Sequence, residues 1–168
     1  IDILVNKECL SKAYKLLKEI NYIYKNPLVS DECKYISASH HLPVMTNNEG
    51  ALVEIHHRVT DILSYKKCPL TEIMLKKHAT IKINDVELRI PSLNHLIAHI
   101  VYHAVKHHKF KLGPVFLYDI KYLKNLIVDE NDLLNLLSQA ELEEDYMQIV
   151  RFIENKKVID SFGILKKT

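Results

Sequence analysis

The hydrophobic pattern of this chain changes period once, at Pro91-Ser92, and no other feature limits the fold so strongly. Upstream, short apolar–polar alternations mark strands; downstream, apolar residues return every three or four positions, the spacing of one helix face. The division predicts an α+β protein: a small mixed β-sheet with flanking helices, followed by a C-terminal helical bundle. The expected domains are 1–91 and 92–168, and 168 residues are enough to bury a real core in one domain or in two small ones.

Taken in order, Ile1 to Val5 reads as a short strand with Asp2 and Leu4 on one face and Ile1, Ile3 and Val5 on the other. Asn6 is placed to cap a helix running from Lys7 to Ile20, whose apolar stripe is Leu10, Ala13, Leu16, Leu17 and Ile20. Tyr22 to Tyr24 begins a second strand, and Asn26-Pro27 to Ser39 reads as loop. His41 to Met45 and Leu52 to Val59 form a hairpin around Asn47 to Gly50. Thr60 to Lys67 fits no clear pattern, and Leu70 to Lys77 fits a short helix. A second hairpin, Thr80 to Ile83 with Val86 to Ile90, turns at Asn84-Asp85. Ser92 caps the first of four helices, Leu93 to His108, Pro114 to Leu126, Asn131 to Ala140 and Glu143 to Glu154.

Composition enters through what it excludes. The formal charge of +2 arises from interspersed signs, so a nucleic-acid partner is not indicated. No apolar run approaches membrane-spanning length, which argues against a membrane partner. Cys9, Cys33 and Cys68 are odd in number and in no CxxC pattern, pointing to a reducing, cytoplasmic location. The chain opens on a strand already under way, so it reads as a piece whose N-terminal neighbour is absent.

Chemistry is most concentrated in Gly50 to Arg58. Alternation puts Ala51, Val53, Ile55, His57 and Val59 on one side, with Leu52, Glu54, His56 and Arg58 on the other. Such a polar face is either a solvated edge or one wall of a site. Asp2 and Glu54, on the same face of adjacent strands, could hold a divalent cation through hard oxygen ligands; separate surface acids are the plain alternative. Arg58 and Arg89 are suited to phosphate, because a guanidinium binds it in bidentate fashion.

Histidines form a second group. His95, His99, His103 and His107 advance by about 40° at each four-residue step, a slowly drifting stripe that begins opposite the core at His95 and enters it at His107. Histidines four apart can share zinc, although no Cys- or Glu-containing zinc motif accompanies these. Asp119 projects among Phe116, Ile120, Leu123, Leu126 and Ile127, where a carboxylate needs a donor. A structural pair with His103 or His107 is the expectation, with a place in a nucleotide pocket as the other reading. Lys106, His108, Lys109 and Lys111 suit either phosphate or the negative end of the helix.

Several segments together resemble one branch of the polymerase-beta-like nucleotidyltransferase superfamily, the uncharacterised nucleotidyltransferase family. Ile1 to Val5, followed by a helix, is similar to the second half of the superfamily's Asp-x-Asp strand. Val53 to His57 looks like the family's Val-Glu-Leu-His segment, and His95 to His107 with Leu117-Tyr118-Asp119 looks like its helical segment. The likeness runs in consistent order from Ile1 to Ala140. It implies Mg²⁺-dependent transfer of a nucleoside monophosphate from a nucleoside triphosphate to an unknown acceptor. By the same resemblance Asp2 would be the second acid of the pair and Glu54 the third metal-site acid. Beyond the carry-over, His56 is the expected phosphate or acceptor contact beside these acids, and Arg58, His103, His107 and Asp119 are the further candidates to border substrate. The first acid and the Gly-Ser phosphate loop would lie upstream of Ile1. A catalytically incomplete regulatory or binding protein on the same scaffold, or a histidine-rich metal-binding helical protein, are the alternatives.

Overall fold

Strand and helix are set by the two periods read above, and the computed structural model describes residues 1–26, 39–61, 68–111 and 113–155. The expected loop from Asn26-Pro27 to Ser39 lies mostly outside the described residues, as does 62–67 of the unassigned stretch. Contacts divide the chain into two compact units, Ile1–Lys76 and Lys77–Thr168. The boundary falls before the second hairpin rather than after it, so that hairpin groups with the helices.

The first unit holds a four-stranded mixed sheet, with β1 (Asp2–Leu4), β2 (Ile23–Tyr24), β3 (Met45–Thr46) and β4 (Leu52–His56) in the spatial order β1-β4-β3-β2. β1 runs parallel to β4, whereas β3 is antiparallel to both β4 and β2. A parallel neighbour requires a crossover, and α1 (Leu10–Glu19) lies in the connection that leaves β1. Its entry differs from the expected cap: Lys7–Cys9 is a 3₁₀ turn, and the Asn6 side chain makes no capping bond. The Asn6 carbonyl instead accepts from the Cys9 N–H at 2.8 Å. Asn21 ends the helix region in the left-handed conformation at φ 67°, which asparagine tolerates better than most residues.

The core of this unit is Leu10, Leu42, Met45 and Ile55, with Val5, Ala13, Tyr14, Leu17, Tyr22 and Tyr24 packed against it. The helix therefore buries a narrower face than its apolar count suggested, leaving Leu16 52% and Ile20 61% exposed. Tyr14 fills the place beside Leu17 by stacking on Tyr24, with ring centroids 5.0 Å apart.

The first hairpin is shorter on one side than its alternation implied. His41 forms an isolated bridge to His56, and regular pairing resumes only at Met45. Pro43 sits in the gap and has no N–H to give to a ladder, which accounts for the interruption. The Leu42 N–H still reaches the Ile55 carbonyl at 2.8 Å. α2 (Leu70–Lys76) closes the described part of this unit.

In the second unit, β5 (Ala79–Ile83) and β6 (Val86–Ile90) form the expected antiparallel hairpin, with Asn84 at φ 46° in the turn. The helices α3 (Leu93–Tyr102), α4 (Val115–Lys124), α5 (Glu130–Gln139) and α6 (Glu143–Glu154) follow. The Ser92 hydroxyl accepts from the His95 N–H at 3.3 Å, as its capping position predicted. α3 packs on α4 and α5, and α6 packs on the same two helices, around Ile97, Val101, Ile120, Leu133, Leu137 and Tyr146. The long helix expected from Leu93 to His108 is α-helical only to Tyr102; His103–His107 widens into a π-helix. Among the described residues, no helix is long and apolar enough to cross a membrane.

Ile55 is fully buried in β4, so Ile55→Ala is expected to lower the free energy of unfolding by about 2–5 kcal/mol in urea denaturation. Leu52→Ala on the same strand, where the side chain is 44% exposed, is expected to cost far less.

Candidate functional site

A parallel pair with no stagger brings the two strand acids together. The register sets Asp2 beside Glu54, Ile3 beside Ile55 and Leu4 beside His56. Because strand side chains alternate, Asp2, Glu54 and His56 share one face, opposite the buried Val53 and Ile55. Two ladder bonds hold the alignment: the Glu54 N–H donates to Ile1 O at 2.9 Å, and the Val5 N–H to His56 O at 2.9 Å.

On that face His56 Nε2 stands 3.4 Å from Glu54 Oε2 and 3.9 Å from Asp2 Oδ1. One ligand atom from each of Asp2, Glu54 and His56 lies within 4.8 Å of the others. Asp2 is exposed, whereas Glu54 and His56 are half-buried. His41 adds a second imidazole, its ring centroid 5.1 Å from that of His56 and its Nδ1 4.0 Å from Glu54 Oε2. That nitrogen is also 2.7 Å from the Leu42 carbonyl, a separation that requires an N–H donor and so places the proton of a neutral His41 on Nδ1. His40 stands edge-on to His41 at 4.7 Å, with its Nδ1 3.9 Å from Asp61 Oδ1.

The electrostatics leave His56 uncharged. Burial pulls its pKa below the ordinary 6.5 and the neighbouring His41 adds to the fall; the Asp2 and Glu54 carboxylates push the other way without prevailing. The buried Nε2 makes no well-aligned hydrogen bond, and Glu54 Oε2 at 3.4 Å is the acceptor nearest to providing one. A neutral nitrogen and two carboxylates within 4.8 Å of one another form a set that a cation would satisfy.

Past His56 the strand ends, and alternation no longer dictates where side chains go. Arg58 Nη2 donates to the Ser39 carbonyl at 2.7 Å, and His57 Nε2 approaches the same oxygen at 3.0 Å. Burial, and then the Arg58 charge, push the pKa of His57 down to about 4. At neutral pH His57 is therefore an uncharged donor to Ser39, and both residues fasten the segment before β3 to the end of β4. Alternation along the strand points Arg58 toward phosphate and gives His57 no role, whereas in the fold both are tied to Ser39 O.

The helical candidates are arranged differently from the expected stripe. His95 is buried at 4% exposure rather than opposite the core, and burial, together with the Lys77 charge, lowers its pKa. Asp119 is exposed and pairs with no histidine among the described residues, which removes the expected Asp119–His103 or Asp119–His107 pair. The stripe's far side explains this: Leu126, on the Asp119 side of α4, is itself 43% exposed, so the buried arc is only Ile120 and Leu123 with partial cover from Phe116 and Ile127. Lys106 forms an ion pair with Asp145 at 2.6 Å, and Arg89 is exposed on β6. His103 and His107 do come together, with ring centroids 4.9 Å apart, and His108 joins them. This unit also contains a pocket of about 500 Å³ whose walls include Phe110, Phe116, Leu117, Ile149 and Phe152. Nothing in the sequence pattern announced it, because its lining joins the stretch from Val105 to Lys121 with α6, which are distant in the chain.

The family model described as uncharacterised nucleotidyltransferase matches residues 1–155 of the chain. No curated protein matches it.

The histidine environments fix the pH response. His57 binds its proton more weakly when folded than at the ordinary 6.5, so the unfolded chain takes up the proton first as pH falls. Stability is complete above about pH 6.5 and declines toward pH 4, by about 3 kcal/mol from His57 alone. Urea unfolding at a series of pH values is expected to show this decline, with a shallower slope in His57→Asn even if that variant is weaker at pH 7.

Proposed function

The chain belongs to the uncharacterised nucleotidyltransferase family, and from that membership we propose that Asp2, Glu54 and His56 form the metal and acceptor side of a nucleotidyl-transfer site. The reaction is transfer of a nucleoside monophosphate from a nucleoside triphosphate to an acceptor hydroxyl or phosphate. The observation that supports it most is the unstaggered β1–β4 register, which sets Asp2 directly beside Glu54.

The donor chemistry fits Mg²⁺. Two carboxylates offer hard oxygens from rigid strands, and Mg²⁺ is commonly held by one or two carboxylates together with substrate phosphates. When bound, the ion would neutralise charge on the phosphoryl oxygens and help align the attacking oxygen. Asp2 is exposed and reaches substrate from the sheet edge, whereas half-buried Glu54 is held by its neighbours on both sides in the sheet. Imidazole is a poorer ligand for Mg²⁺ than carboxylate, so His56 is assigned to the acceptor. Being neutral at pH 7, its ring adds no positive charge beside the cation, and its Nε2 is a hydrogen-bonding partner for the acceptor. His41, fixed through its Nδ1–H to Leu42 O, walls the same space and supports the His56 ring. The reading rests on Asp2, Glu54 and His56 and assigns no step to Arg58, His103, His107 or Asp119.

A cytoplasmic setting belongs to the same reading. Cys9 is a free thiol, as a reducing compartment keeps it.

Transfer of label from an α-labelled nucleoside triphosphate by the full-length protein tests the proposal. Glu54→Gln, which keeps the shape and removes the charge, is expected to reduce transfer by more than about 100-fold, beyond the loss typical of an outer-sphere partner. Equal transfer by the two proteins would take Glu54 out of the mechanism.

A further inference from the structure

The π-helix at the end of α3 gathers three imidazoles that an α-helix would separate. In an α-helix, residues five apart differ by about 140° in direction, so His103 and His108 would diverge. Here the helix widens, and the His108 N–H donates to the His103 carbonyl at 2.8 Å, five residues back. That bond sets His108 beneath His103 while His107 remains its neighbour four residues on. Ring centroids are 4.9 Å apart for His103 and His107, 4.8 Å for His103 and His108, and 4.5 Å for His107 and His108. One nitrogen from each ring lies within 4.8 Å of the others, and all three rings are half-buried.

We propose that His103, His107 and His108 form a second metal site, selective for a borderline divalent transition ion of the Zn²⁺ class. Ligand type separates it from the Asp2–Glu54 group, since three imidazoles suit Zn²⁺, Cu²⁺ or Ni²⁺ and offer Mg²⁺ no hard oxygen. With Zn–N bonds of about 2.0–2.1 Å, tetrahedral neighbours stand about 3.3 Å apart, so nitrogens within 4.8 Å of one another need to close by no more than about 1.5 Å. Three protein ligands leave a fourth position for water or an added group. The backbone is consistent with a fixed arrangement: the widened turn is ended by Lys109 at φ 47° and Phe110 at φ 59°, and the Phe110 N–H closes on Ala104 O at 2.9 Å. The nearby Lys106 does not compete for the site's interior, because its ammonium is held by Asp145 at 2.6 Å.

The test is Zn²⁺ binding by the full chain after chelator treatment, measured by equilibrium dialysis, with Co²⁺ absorption as a report on ligand geometry. To silence the acid site, the measurements are made in Glu54→Gln/His56→Ala. That protein is expected to bind one Zn²⁺ per chain and to give a Co²⁺ spectrum of tetrahedral nitrogen ligation. Adding His108→Ala should weaken binding at least 100-fold, whereas adding His78→Ala, an exposed histidine outside the cluster, should leave it unchanged. Should His108→Ala lose helical circular dichroism, His103→Ala serves as the second variant with the same expected loss. Binding retained within twofold after loss of a cluster histidine, or no binding by the parent double variant, would overturn the proposal.

Discussion

The parallel pairing of β1 with β4 is the constraint on which the rest of the first unit depends. A one-residue slip in that register would turn Asp2 to the opposite face and leave Glu54 without a carboxylate neighbour. The slip is resisted from the other side of the sheet, where Val53 and Ile55 are buried and cannot exchange faces with Glu54 and His56. Packing of Leu10, Leu42, Met45 and Ile55 therefore does more than stabilise the unit. It fixes which acids meet.

Burial favours the neutral form of three histidines in this chain. His56, His57 and His95 all have pKa values pulled down, with burial as the first cause in each. Their surroundings differ, and so do their uses. His57 spends its N–H on Ser39 and acts as a fastening, while His56 keeps a buried nitrogen without a well-aligned hydrogen bond beside two carboxylates. The family likeness and this unsatisfied nitrogen lead to the same face by separate routes, one through motif order and the other through hydrogen-bond accounting.

Local pattern carried much of the fold. The alternation in β4, the Asn84-Asp85 turn, the Ser92 cap and the helix over Glu143–Glu154 follow from side chains acting within a few residues of themselves. Both strand acids were legible for the same reason, because period two and two short strands leave few ways to arrange them. What escaped depended on neighbours or on departures from regular geometry. Pro43 cut β3 short by denying the ladder a donor. His95 went inside because the buried arc of α3, which also takes Ile97, Ala98, Val101 and Tyr102, is wider than its apolar stripe suggested, while exposed Leu93 lies off it. Asp119 stayed outside because α4 buries less than its apolar count implied. The π-turn that recruits His108 changes the angular step itself, which no calculation at a constant α-helical period can register.

The central claim is that Asp2 and Glu54 jointly hold the cation that accompanies the nucleotide. The most direct measurement is anomalous diffraction from crystals of the full-length protein grown with Mn²⁺ and a non-hydrolysable nucleoside triphosphate analogue. The account predicts an anomalous peak bonded to a carboxylate oxygen of each acid at about 2.2 Å, with phosphate oxygens completing its shell. A nucleotide bound with its Mn²⁺ out of reach of both Asp2 and Glu54 would contradict it.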